Sequence, residues 1–402
     1  MIFGIPIEFY FFVIILLCVA LFHNHVFKIA LLGLAIVSIY KIFFSSFKTG
    51  FGIEGFADHL IHEWVIVTNL LLLLVGFALL SDHFEKSNVT ETLSSILPKG
   101  WQGSFTLLAI IFFLSIFLDN IAAAIIGATI ASKLFKKKVH IGYLAAIVAV
   151  ANAGGAGSVL GDTTTTMMWL AGVSPITVLH AFIGSIVVLC FVGYFAAKQQ
   201  NAHQQLIIDF ESKSSLDWSR IFIVFVILVS AVLTNILVNL KFNYLSDYFP
   251  FIGVSVWLAL FLLVPLRAPD WSLIPSALKG SIFLLALVLT ASMMPVDKLL
   301  PPSLFSTFGL GFLSSVFDNI PLTALAIKQD NYDWGVLAYA VGYGGSMIWF
   351  GSSAGVAVSN LFPEAKSVKR WLISGWHIPL SYILGYLFII LIWGWHPTLI
   401  PD

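Results

Sequence analysis

The stretch Ala151-Asn152-Ala153-Gly154-Gly155-Ala156-Gly157-Ser158-Val159-Leu160-Gly161-Asp162-Thr163 aligns without a gap on Val341-Gly342-Tyr343-Gly344-Gly345-Ser346-Met347-Ile348-Trp349-Phe350-Gly351-Ser352-Ser353. Gly154, Gly155 and Gly161 fall on Gly344, Gly345 and Gly351. Both stretches lie in apolar surroundings, and glycine admits backbone angles that other residues avoid. Each therefore reads as a transmembrane helix broken by glycine, over 142–171 and 334–361. Before each comes an apolar run with a polar centre: Phe105–Leu118, Asp119-Asn120, Ile121–Leu134, and Leu304–Phe317, Asp318-Asn319, Ile320–Lys328. The arms are too short to cross a bilayer, so 105–134 and 303–328 read as re-entrant hairpins, tolerable where the tip is buried in protein or lines a watery cavity. The chain is an internal duplication.

Composition supplies the solvent. Of 402 residues, 59% are hydrophobic and 10% charged, against roughly 25% charged in soluble domains. That much apolar surface exceeds what one water-soluble core buries, so the lipid bilayer is the expected partner. The formal net charge is zero, and no nucleic-acid partner is expected. Cys18 and Cys190 lie in apolar runs and read as small hydrophobes rather than a disulfide or metal pair. Further spans are expected at 5–22, 26–44, 63–80, 175–196, 220–240, 252–266, 280–296 and 371–395. The first reads as a retained helix rather than a signal peptide, having no positive n-region.

The connector loops orient the two copies. Lys133, Lys136, Lys137 and Lys138 follow the first hairpin, whereas Lys328 is set against Asp330 and Asp333 after the second. Positive loops stay cytoplasmic, so the first connector is expected inside and the second outside. Each half holds an odd number of crossings, and the second copy is upside down. The expected fold is an all-α polytopic membrane protein of two inverted repeats, 1–196 and 220–402, joined by a cytoplasmic linker 197–219, with about ten crossings and two hairpins. Both termini are expected in the periplasm of a bacterial inner (cytoplasmic) membrane. The linker carries Lys198, Lys213 and nearby Arg220, but also Asp209, Glu211 and Asp217.

Inverted repeats with discontinuous helices gather substrate and ions near the midplane. Asp119, Asp162 and Asp318 stand there with no Lys or Arg beside them in sequence. A central Asp costs about 2.5–3.5 kcal/mol on insertion scales, so a mobile cation or a proton is the natural neutraliser. Asn120, Asn152 and Asn319 would add neutral oxygens, as hard cations prefer. Thr163, Thr164, Thr165, Ser352 and Ser353 begin the resumed half-helices, where they serve either the ion or the helix as caps. Capping is the other reading of Asp119 and Asp318 at the tips and of Asp162 before its half-helix. Asp162 is singular, because its repeat mate is Ser352. His180 is a weaker candidate, a proton relay or a histidine bonded across helices. Asn69 and Asn235 read as interhelical bonds, and His62, Glu63, Trp376 and His377 as interface residues. No Gly-x-x-x-x-Gly-Lys-Ser/Thr, His-Glu-x-x-His or Gly-x-Ser-x-Gly motif is present, so neither an enzyme nor an ATP-driven pump is expected.

The Asn152-Ala153-Gly154-Gly155-Ala156 run, Gly161-Asp162-Thr163-Thr164-Thr165, the Asp-Asn of each hairpin and Gly351-Ser352-Ser353-Ala354-Gly355-Val356-Ala357 resemble the NhaD-type sodium/proton antiporters of the ion transporter superfamily. That superfamily also holds citrate, dicarboxylate and arsenite carriers. The resemblance, from about residue 60 onward, implies exchange of Na⁺ or Li⁺ for H⁺ without a cofactor. It also implies a scaffold domain that forms a homodimer and a transport domain made of hairpins and broken helices. Carboxylate carriers of the superfamily typically have Ser-Asn-Thr at the tips; Leu118-Asp119-Asn120 and Phe317-Asp318-Asn319 favour cations instead. Carriage of an organic anion or oxyanion is the alternative. Ala122-Ala123-Ala124 against Pro321-Leu322-Thr323 makes the two tips inequivalent.

Overall fold

The computed structural model describes residues 6–22, 25–47, 50–89, 97–206, 215–241, 248–296 and 299–400. The linker residues Asp209, Glu211 and Lys213 lie outside that set, as does the side chain of Asn235. The chain is mostly helical, and among the described residues there is one two-stranded ribbon, Ser46–Phe47 on Gly50–Phe51. The first helices are α1 (Ile7–Leu21), α2 (Val26–Phe44) and α3 (Gly52–Glu85). Sequence places a span at 63–80 in α3, but the helix starts eleven residues earlier, because Glu54, Asp58, His59 and Glu63 continue it without a breaker. At 1.5 Å per residue it is longer than the roughly 30 Å hydrocarbon core.

The first hairpin is α4 (Trp101–Ser115) and α5 (Asn120–Leu134), and the first broken helix is α6 (Ile141–Ala156) and α7 (Thr163–Leu170). Then come α8 (Pro175–Leu179), α9 (Ala181–His203), α10 (Trp218–Lys241), α11 (Phe251–Leu263) and α12 (Ile274–Ser292). The second hairpin is α13 (Leu304–Ser314) and α14 (Asn319–Gln329). The second broken helix is α15 (Trp334–Ala338), a π-turn over Tyr339–Tyr343, and α16 (Ser353–Leu361). The chain closes with α17 (Val368–Ser374) and α18 (His377–Ile392), a pair bent by 60°. Among the described residues four stretches are single helices or helix runs long and apolar enough to cross a bilayer: 26–44, 52–85, 175–203 and 271–292; the α17–α18 pair qualifies as one bent span. The protein is a multi-pass membrane protein.

The helices pack as two groups. One gathers α1, α2, α3, α10, α11 and α12 around α3 and α12. The other surrounds α6, whose residues from Gly142 to Ala156 are all buried against α4, α5 and α9. A helix apolar on every side belongs inside. The groups meet mainly where α12 packs on α14, with α3 touching α5 and α7.

The duplicated stretches make duplicated contacts. Ser115 Oγ donates to Ala151 O at 2.6 Å, and Ser314 Oγ to Val341 O at 2.6 Å. Gly154 rests on the backbone of Phe112 and Gly344 on that of Gly311, where an added Cβ would meet a carbonyl. That requirement explains why these two glycines recur. The half-helices also cross over: α16 packs on α5, and α7 on α14.

Candidate functional site

The three aspartates occupy the same local position. Asp119 accepts from Ile121 N at 3.2 Å, Asp318 from Ile320 N at 3.1 Å and Asp162 from Thr164 N at 3.2 Å, each capping the helix that follows. Capping is thus a fact for all three. It uses one acceptor position, and a carboxylate has about four, so capping leaves room for a cation.

Asp162 is 2% exposed. Its Oδ2 takes the Thr164 hydroxyl at 2.8 Å, and Asn120 Nδ2 lies 3.4 Å from Oδ1. The same Asn120 amide donates to Asn152 Oδ1 at 3.1 Å. Asn152 Nδ2 then donates to Ser346 Oγ at 2.9 Å and to Ser352 Oγ at 3.1 Å, both in the second break. Asp162, Asn120, Asn152, Ser346 and Ser352 therefore form one buried polar set spanning both copies. Opposite Asp162 stands Gly342, whose missing side chain leaves the space: a Cβ there would sit 2.9 Å from Asp162 Oδ2. Gly342 is the repeat mate of Asn152. The donors to Asp162, the Asn120 amide and the Thr164 backbone and hydroxyl, are all neutral.

Asp119 and Asp318 face different spaces. Asp119, Thr163 and Thr166 line a cavity of about 530 Å³ between α3, α5, α7 and α12, with Asp82 and Glu85 along the end of α3. Asp318, Ser353 and Asn360 line a smaller one of about 220 Å³. Ser353 Oγ donates to Asp318 Oδ2 at 3.0 Å, tying the second tip to α16. Among the described residues no three His, Cys, Asp or Glu side chains gather into one cluster.

Other expected residues go elsewhere. Thr165 Oγ1 donates to Ser158 O at 2.5 Å and Asp162 O at 2.9 Å, a backbone role that turns it from the site. Asn319 is buried at the second tip. His180, the weaker relay candidate, instead bonds Asp333 at 2.6 Å and stacks on Trp393; it joins α8 to α15 and has no bond to the Asp162 set. Glu63 is buried and paired with Lys328, and His377 is fully buried beside Gln199, so neither is a solvated residue; His62 and Trp376 are exposed. Asn69 accepts from Gly253 N at 2.9 Å, an interhelical bond as expected. Cys18 and Cys190 are free. Two residues of the site were not anticipated from sequence: Ser346 in the polar set and Gly342 opposite Asp162. Their only signal is the alignment itself, which sets them opposite Ala156 and Asn152.

No family model matches the chain. It is similar to two curated proteins of Arabidopsis thaliana. It is 26% identical over 342 residues to sodium/proton antiporter 1, covering 75% of this chain and 58% of that protein. It is 27% identical over 314 residues to sodium/proton antiporter 2, covering 68% of this chain and 72% of that protein. The chain thus spans less than two thirds of the first relative. Both relatives are named as transporters rather than enzymes.

Proposed function

We propose that the protein is a secondary transporter that exchanges Na⁺, or Li⁺, for H⁺ across a membrane. The observation that carries this reading is Asp162, a buried carboxylate whose donors are the neutral Thr164 and Asn120. An uncompensated carboxylate in low dielectric is unstable, so it holds either a proton or a cation. The two compete for the same oxygens, and one Na⁺ arriving displaces one H⁺. Asn120 and Asn152 supply carbonyl oxygens of the type a hard cation prefers, and Asp119 faces the cavity through which a cation would approach. The two relatives named sodium/proton antiporters support the same chemistry.

Inverted repeats, alternating access, NhaD-type membership, a homodimer, a bacterial inner membrane and periplasmic termini belong to this proposal. The opposed lysine-rich and acidic connectors and the crossed packing of each half-helix on the other copy's hairpin support inversion. In such a scheme the α4–α9 and α13–α18 group would move against the α1–α3 and α10–α12 group. Carriage of an organic anion or oxyanion draws no support from basic side chains at Asp162.

The test is proton release. Purified protein in weakly buffered detergent, given NaCl, releases protons in the wild type. In Asp162→Asn that release is lost, whereas an equal release in the variant removes Asp162 from the role.

A further inference from the structure

Lys328 lies in the last turn of α14, the helix that begins at the Asp318 cap. Ten residues at 1.5 Å each make α14 a rod of about 15 Å between the tip and that lysine. Lys328 is paired through its Nζ with Glu63 Oε1 on α3, 265 positions away. The Glu63 side chain is 7% exposed and that of Lys328 29%. The pair therefore joins the two helix groups, α3 from one and α14 from the other. Near it, His59 on α3 bonds Ser292 at the end of α12 at 3.0 Å, which ties the two facing helices together at that end.

The opposite end of the same α3–α12 face differs. There α3 (Leu74, Phe77, Asp82) and α12 (Ser276, Gly280) stand back from α5 and leave the 530 Å³ cavity that reaches Asp119. The repeat mate of Lys328 is Thr129 on α5, which carries no charge. The second hairpin is fastened to α3 by an ion pair, whereas the first has no charge at the matching position and faces the larger of the two cavities.

We infer that Glu63 and Lys328 are positioning residues that latch the second hairpin to α3 and thereby hold the cavity beside Asp119 open. The inference rests on the exchange reading above, because a latch between two groups matters to transport only if the groups move. A largely buried ion pair adds little net stability, yet removing one partner strands the other charge. Such a pair selects one arrangement of the groups more than it strengthens the fold.

The experiment reads cavity access directly. In a parent carrying Cys18→Ser, Cys190→Ser and Ile125→Cys, a water-soluble maleimide reacts with the cysteine on the cavity wall. Glu63→Gln and Lys328→Met each slow that labelling at least threefold, and the exchanged pair Glu63→Lys with Lys328→Glu restores it. Equal labelling in parent and single variants overturns the inference, and so does slowing that the exchanged pair fails to restore. Labelling needs no sodium and no gradient. If the wild type moves no protons with sodium, the function reading fails, while the latch is still decided by the labelling rates.

Discussion

Asp162 does two things with one carboxylate. It caps α7 and accepts the Thr164 hydroxyl, and it is the carboxyl end of a chain of amides and hydroxyls running to Ser352. Asn152 is the hinge of that chain, since its amide nitrogen serves Ser346 and Ser352 and its oxygen receives Asn120. Replacing it by alanine leaves those buried groups short of partners, at about 1–3 kcal/mol for each group stranded. Asn152→Ala is therefore expected to lower the melting temperature in detergent and to weaken the apparent Na⁺ affinity at least tenfold in a proton-release titration. Unchanged affinity in a folded variant would make the amide purely structural. The local part of this site is legible in the sequence, because Asp before a Thr run and Asp-Asn between apolar arms are short-range signals. The partners from the other copy are not legible, since Ser346 and Gly342 stand nearly 200 positions from the groups they face and no spacing encodes that contact.

The elements follow from the same two signals, glycine and hydroxyl. Gly154 and Gly344 let each broken helix lie on the backbone of the first hairpin arm, and Ser115 and Ser314 fasten that contact through one bond each. Because the two bonds have equal length and equal burial, Ser115→Ala and Ser314→Ala are expected to cost about the same, on the order of 1 kcal/mol apiece. Chemical denaturation in mixed micelles measures this. A cost confined to one copy would break the structural equivalence. The second copy departs from the first at Tyr339–Tyr343, where a π-turn interrupts the helix. Such turns cluster at functional sites, and nothing in the tyrosine-rich composition of that stretch signals it. The early start of α3 escaped sequence reading for a different reason. Glu54, Asp58, His59 and His62 interrupt the apolar run by which a span is recognised, yet they continue the helix.

At the scale of the whole molecule, the first hairpin and the broken helices of both copies contribute to one polar set. If the copies are inverted, the connectors after the two hairpins lie on opposite faces. In a parent without Cys18 and Cys190, Lys138→Cys is then labelled only from the cytoplasmic face by an impermeant maleimide, and Asn331→Cys only from the other. Labelling of both from one face would mean parallel copies. The central claim is that a proton and a small cation compete for Asp162, and proteoliposomes holding a pH gradient test it most directly. Added Na⁺ or Li⁺ is expected to dissipate the gradient, K⁺ and a panel of dicarboxylates to leave it, and Asp162→Asn to abolish the sodium response. A gradient collapsed by a dicarboxylate alone, or by sodium equally in Asp162→Asn, would contradict it.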